Sequence, residues 1–517
     1  MDLSNAPLAD IQQALQQGRM TSSALARGYL ARIEAYDRAG PAVNSVREIN
    51  PDALAIAAER DGQKPSKRYP LVGIPILVKD NVATGDRQHT TAGSLALETA
   101  RARQDATVVK RLRAAGAVIL GKANLTEFAN ILAIGMPSGY SSLGGQVKNP
   151  YVPLLDDKGV PVLTPGGSSS GSAVAVAAGL CAAAIGTETS GSLLNPATQN
   201  GLVTVKPTVG LISRAGILPI SHSQDTAGPM TRTVRDAAIL LNVLAARDRA
   251  DPATRRLQRP VEYLDCLDKD GLKGARIGVP SNPPYGDYRA QTARAQPIMQ
   301  NVIATLEAAG AIIVRADIAP IAWLGGPGTT MAVLNTNPHS PTAPNPATPP
   351  IVFIYELKHD LNRYLREWAT ETDMRTLDDI VRFNAVHPEA MRFGQDLFLA
   401  AAATRGDLSE LEYKSARAMD LHAAGTLGLD AYMDAHRLDA VLFSGSSGAA
   451  IGAKPGYPSV QVPAGLTLRA ETTETPDYPI GVTFTGPAWS EPTLLRLAYA
   501  YEQASQQRRP PAQFGAL

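Results

Sequence analysis

Short apolar runs recur along this chain, and helical patterns separate them. Residues 71–78, 117–120, 203–205, 277–279, 312–314, 440–443, 459–462 and 482–484 are apolar stretches too brief for core helices. Runs of that length read as strands buried on both faces. Between them, 105–115, 231–246, 292–309 and 491–504 read as helices, and 8–38 as two amphipathic helices, with Thr21-Ser22 as N-cap of the second. Residues 172–184 are small and apolar all round, which reads as one buried helix. Strands alternating with helices predict an α/β fold: a central twisted mixed sheet covered by helices on both faces.

The 517 residues read as a single domain. It divides into N-terminal helices (1–70), a core (71–250), a helical insertion (351–436) and C-terminal strands with a closing helix (437–517). Before the insertion, 325–350 holds seven prolines, too many for a regular helix or central strand. It reads either as a lid that shapes a binding site or as a surface excursion. The 49 basic and 48 acidic residues nearly cancel, with no basic stripe for nucleic acid and no polybasic run for a membrane surface. Neither partner is expected, and a monomer or homodimer is. No apolar run reaches bilayer length, and no secretory signal is visible at the N-terminus, so the expected location is cytoplasmic. The two cysteines imply no disulfide framework, and Cys181, in an Ala/Leu run, reads as a buried hydrophobe.

Two Gly/Ser-rich loops flank the small apolar segment: Gly166–Ser172 and Gly186–Ser192. Serine is a potential nucleophile only if a base removes its proton. Gly167-Ser168-Ser169-Ser170-Gly171 fits the Gly-x-Ser-x-Gly elbow, which requires a later acid and histidine. His222, His339, His359, His387, His422 and His436 are available, none in a distinctive setting. In the second loop, successive N–H groups from Thr189 to Ser192 ahead of a helix suit an oxyanion, and equally an ordinary Ser N-cap. Lys79 ends the apolar run 71–78. Burial there would lower its pKa and make it a base; the alternative is a lysine that reaches water or pairs with Asp80. Gly116–Ala123 nearly matches a phosphate-binding loop, but Ala123 stands at the hydroxyl position. No clustered His/Cys set suggests a metal, and no cofactor is expected.

The lysine and the two serine loops occur together in an order that resembles the amidase signature family of serine hydrolases. The resemblance rests on Gly73–Asn81, Gly116–Phe128, Gly166–Thr208, Lys206–Gly210, Asp225–Met230, Gly456–Pro458 and Gly481–Glu502. Among subgroups the chain looks most like bacterial peptide amidases, notably in Ser221–Met230 and Trp489–Pro492. The resemblance implies a Ser–cis-Ser–Lys triad, with Lys79 as base, Ser168 as proton relay and Ser192 as nucleophile. It further implies an oxyanion hole from the backbone N–H groups of Thr189, Ser190, Gly191 and Ser192. Gly167, Ser169 and Ser170 are support in this scheme, and Leu194 and Asn195 are pocket candidates. The implied activity is hydrolysis of amide C–N bonds in neutral, peptide-like or aryl small molecules. Alternatives on the same fold are an aryl acylamidase, an esterase or carbamate hydrolase, a glutaminase component of a tRNA amidotransferase, and a non-catalytic binding protein. Two departures bear on substrate: Ser190 stands where many relatives have Asp or Gly and Leu194 where they have Arg, and the Pro-rich segment 325–350 is longer than in the bacterial peptide amidases.

Overall fold

The computed structural model describes residues 1–257, 261–280, 294–318, 350–467 and 477–517. The proline-rich segment 325–350 lies outside these, save Pro350. So does His339.

Among the described residues eleven strands form one sheet: β1 (Val46–Ile49), β2 (Pro75–Lys79), β3 (Val118–Ala123), β4 (Ala183–Glu188), β5 (Val203–Lys206), β6 (Thr226–Thr231), β7 (Arg276–Gly278), β8 (Ile312–Val314), β9 (Ala440–Ser444), β10 (Ser459–Leu466) and β11 (Pro479–Thr485). Their spatial order is β1-β3-β2-β4-β6-β5-β10-β11-β9-β7-β8. Pairing is mixed. β2 runs parallel to β3 and β4, and β7 parallel to β8 and β9, while the strands between them pair antiparallel. Every residue of β2, β3, β4, β5, β6, β9 and β11 is buried, so these strands are covered on both faces. That explains their continuous apolar runs in place of alternation.

The expected strands are present, with ends shifted by a few residues. Thr21 caps the helix Ser22–Arg32 as expected, its side chain accepting the Ala24 N–H. One expectation fails. The buried helix read over 172–184 spans only Ser170–Ala177 (α1 below), and a strand, β4, begins at Ala183. Gly179, at φ +70°, turns the chain between them. A run of Ala, Val and Gly carries no periodicity that separates a buried helix from a buried strand. β6 is hidden in the sequence for a related reason: its Gly228-Pro229 pair looks like a turn.

A second apolar cluster packs the helix Ile351–Glu367 (α2 below) against 92–136, 218–220 and 377–401. This helix and the chain after β5 enclose a cavity beside the carboxyl ends of β2 and β4. Ligand sites in open α/β sheets favour such ends.

Candidate active site

Lys79 is the last residue of β2, set between β3 and β4. Because β2 and β4 are parallel, their carboxyl ends lie together, which brings Lys79 to Thr187. α1 starts at Ser170, so the turn ahead of it delivers Ser168 and Ser169 to the same point. The Gly167–Ser168 peptide bond is cis, the one such bond among the described residues. Its turn is braced from two sides. Gly167 N–H donates to Asn195 Oδ1 at 3.1 Å, and Ser170 Oγ to the Gly166 carbonyl at 2.5 Å.

Lys79 Nζ lies 2.8 Å from Ser168 Oγ, 3.1 Å from Ser169 Oγ and 2.9 Å from Thr187 Oγ1, with the Thr187 carbonyl at 3.3 Å. The donor and acceptor capacity of each group assigns these contacts. Ser169 Oγ donates to the Thr187 carbonyl (2.9 Å) and accepts from the Thr187 N–H (3.2 Å), so toward Lys79 it can only accept. Thr187 Oγ1 accepts from Asn81 Nδ2 at 3.1 Å and has capacity for one Lys79 N–H. A neutral amine has two N–H groups and one lone pair. Ser169 and Thr187 take the former, which leaves the lone pair for the Ser168 hydroxyl. Burial pushes Lys79 down to about 7, while the Asp225 and Glu188 carboxylates pull it up. A base poised near neutrality suits proton transfer.

The second loop is shaped by Glu188, the last residue of β4. Its carboxylate accepts the Gly191 N–H (2.7 Å) on one oxygen and those of Leu193 (2.7 Å) and Leu194 (3.0 Å) on the other. A carboxylate at the start of the helix Leu194–Gln199 complements its dipole. The Gly191 N–H is thereby spent. The N–H groups of Thr189, Ser190 and Ser192 donate to no acceptor among the described residues. Three N–H groups of this loop are thus uncommitted among the described residues. Ser169 N–H donates to the Ser192 carbonyl at 3.3 Å and docks the two loops together. Lys79 and Ser168 are 0% exposed and Ser192 is 8% exposed, so of these two serines Ser192 is the more accessible.

A cavity of about 710 Å3 adjoins the site, lined on that side by Asn81, Thr187 and Thr189. Leu194 is fully buried and does not line it. Asn195 does not line it either; between Gly167 and Ser446 Oγ (3.4 Å) it braces the loops. Asp225 does line it, accepting Thr189 Oγ1 at 2.6 Å and the Ile220 and Ser221 N–H groups at 2.9 Å. Burial raises this carboxyl to about 6 against those hydrogen bonds.

The elbow reading does not survive the geometry. Ser169 has its full complement of hydrogen bonds, and the described histidines make no contact with the serine loops. His222 belongs to the cavity wall, where its Nδ1 lies 2.8 Å from Asp360 Oδ2 and its Nε2 3.5 Å from Glu356 Oε1. Among the described residues, His222, Glu356 and Asp360 form the one group close enough to hold a metal ion. Glu356 is already occupied: it accepts the Ser221 and Ser223 hydroxyls, the Ser223 N–H (3.0 Å) and the Tyr413 hydroxyl (2.7 Å). Protein donors thus occupy Glu356, whereas Asp360 Oδ1 has no hydrogen-bond partner among the described residues and faces only Arg363 at 3.7 Å. Sequence reasoning missed Asn81, Thr187 and Glu188. Only Glu188 carried a signal, an acid just ahead of a helix start.

A family model described as Amidase matches residues 24–495. An Arabidopsis thaliana protein named a probable amidase is 37% identical over 98% of this chain and 92% of its own length. A glutamyl-tRNA(Gln) amidotransferase chain of Acinetobacter baumannii is 31% identical over 97% of this chain and 96% of its own. Among solved structures, the native peptide amidase from Stenotrophomonas maltophilia superposes with a TM-score of 0.84, at 42% identity and 98% coverage of both chains.

Proposed function

This chain belongs to the amidase family, whose members hydrolyse amide C–N bonds, and on that premise we propose that it does so through Lys79, Ser168 and Ser192. The contact that carries the reading is Lys79 Nζ to Ser168 Oγ at 2.8 Å, in a site where the amine's other hydrogens are already committed. Ser192 Oγ attacks the amide carbonyl carbon as its proton passes to Ser168 Oγ and the Ser168 proton to Lys79. Negative charge develops on the carbonyl oxygen, toward which the free N–H groups of Thr189, Ser190 and Ser192 can donate. On collapse the C–N bond breaks and the proton returns from Lys79 through Ser168 to the nitrogen, so that a neutral amine or ammonia leaves. Water then adds to the acyl-Ser192 ester by the same relay and releases the carboxylic acid.

The substrate in this reading is a neutral small-molecule amide, peptide-like or aryl. No charged group stands at position 194, and the two arginines on the cavity wall, Arg214 and Arg363, face Asp251 at 2.7 Å and Asp360 at 3.7 Å. Ser192→Ala and Lys79→Ala should each lower kcat/KM by about 10³-fold or more, since members of a relay fail together. Steady-state assays with primary amides, alongside melting curves that show intact folding, test this; turnover within tenfold of the parent in either folded variant contradicts it.

A further inference from the structure

We propose that Tyr364 and Trp368 form an aromatic subsite for the acyl portion of the substrate, an inference that rests on the amidase reading above. Both residues line the cavity beside the site, four positions apart at the carboxyl end of α2. Their rings are nearly parallel, 8° between planes with centroids 6.5 Å apart, so they offer one aromatic surface. Ile217, Leu218, Ile220 and Ala129 supply apolar wall around it.

Two observations point to a ligand. Among the described residues neither the Tyr364 hydroxyl nor the Trp368 indole N–H has a hydrogen-bond partner, and neither atom is sealed from solvent, so both are open on the cavity side to a polar group of a ligand. The platform is also rigidly built. Ala369 and Thr370 pair with Ala102 and Arg101, and the Trp368 carbonyl accepts the Arg103 N–H at 3.0 Å. Gly216, at φ +85°, admits the indole: a Cβ there would come within 2.7 Å of Trp368 Cζ3. Subsites on locked elements discriminate better than mobile ones.

The choice of acyl portion over leaving group follows from size: a primary amide releases only ammonia, so a cavity of about 710 Å3 beside the site has room for its acyl portion and for no other part of it.

The test compares 3-phenylpropanamide, 3-cyclohexylpropanamide and acetanilide. The first two share a leaving group and differ in aromaticity; the third carries its ring on the leaving side. The parent protein is expected to favour the phenyl over the cyclohexyl amide by about 3- to 10-fold in kcat/KM, the range of aromatic pairing beyond area burial. It should favour both over acetanilide. In Trp368→Leu the phenyl-to-cyclohexyl ratio should fall to about one, and Trp368→Phe should restore part of it. A ratio of one in the parent protein, an unchanged ratio in Trp368→Leu, or preference for acetanilide overturns the subsite. Equilibrium binding of the two propanamides to Ser192→Ala reads the same ratio without turnover. It thus separates failure of the subsite from failure of the catalytic assignment, and covers a Trp368 variant that does not fold.

Discussion

At the scale of single residues, the reactivity of Lys79 is set by opposing effects of different reach. Burial lowers its pKa to about 7; the Asp225 and Glu188 carboxylates hold it from falling further. The base must be neutral to act, so kcat/KM is expected to rise through pH 7 and to drop about tenfold per unit below it. The pH profile of the free enzyme with a primary amide checks this; an acid limb two units away contradicts it. Asp225→Asn removes a negative charge that favours the ammonium form. The acid limb of that variant should therefore move to lower pH, alongside a lower plateau from the disturbed Thr189 contact. A limb that moves upward would mean Asp225 acts otherwise. Lys79 was legible in the sequence because a lysine closing an eight-residue apolar run has few bland explanations. Asn81 and Thr187 were not, because small polar residues at strand ends read as loop. Only the shared contact with Lys79 reveals their part.

At the scale of elements, the site depends on how closely α1 approaches the sheet. A Cβ at Gly171 would lie 2.3 Å from the Ser45 carbonyl oxygen and 2.4 Å from that of Asn124, both backbone atoms that cannot yield alone. Gly171→Ala should thus push α1 outward, with Ser168 and Ser169 ahead of it. A large loss of kcat with the fold retained is expected, by assay and circular dichroism; parent-like kcat contradicts it. On the cavity side, α2 grips the 221–225 loop through Glu356, whose carboxylate receives Ser221, Ser223 and Tyr413. Glu356→Ala would strand those buried donors. A loss of about 3 kcal/mol is expected from this. Urea denaturation measures it, and an unchanged midpoint contradicts it. Elements with strong apolar runs were legible to within a few residues. β4 and β6 were not, since Ala, Gly and Pro give neither periodicity nor length to argue from. Yet β4 is the strand that places Thr187 and Glu188, so the illegible element and the functional one coincide. Small residues are what such close packing demands.

At the scale of the molecule, an eleven-stranded mixed sheet brings the carboxyl ends of two parallel strands under a helix start and beside a cavity roofed by α2. Among the described residues, no helix is long and apolar enough to cross a membrane. The architecture was legible because alternation of strands and helices survives imprecise boundaries. The cavity was not, since α2 meets residues 214–225 only through tertiary packing. The proposed chemistry needs two serines and a lysine. Amide hydrolysis should accordingly survive exhaustive chelation, and a loss restored by one added metal would contradict this. The central claim is that two adjacent serine loops have separate jobs: Ser168 relays a proton and Ser192 attacks. Peptide mapping by mass spectrometry after reaction with a fluorophosphonate tests it most directly. The account predicts label on Ser192, strongly slowed in Lys79→Ala; label on Ser168 or Ser169 would contradict it.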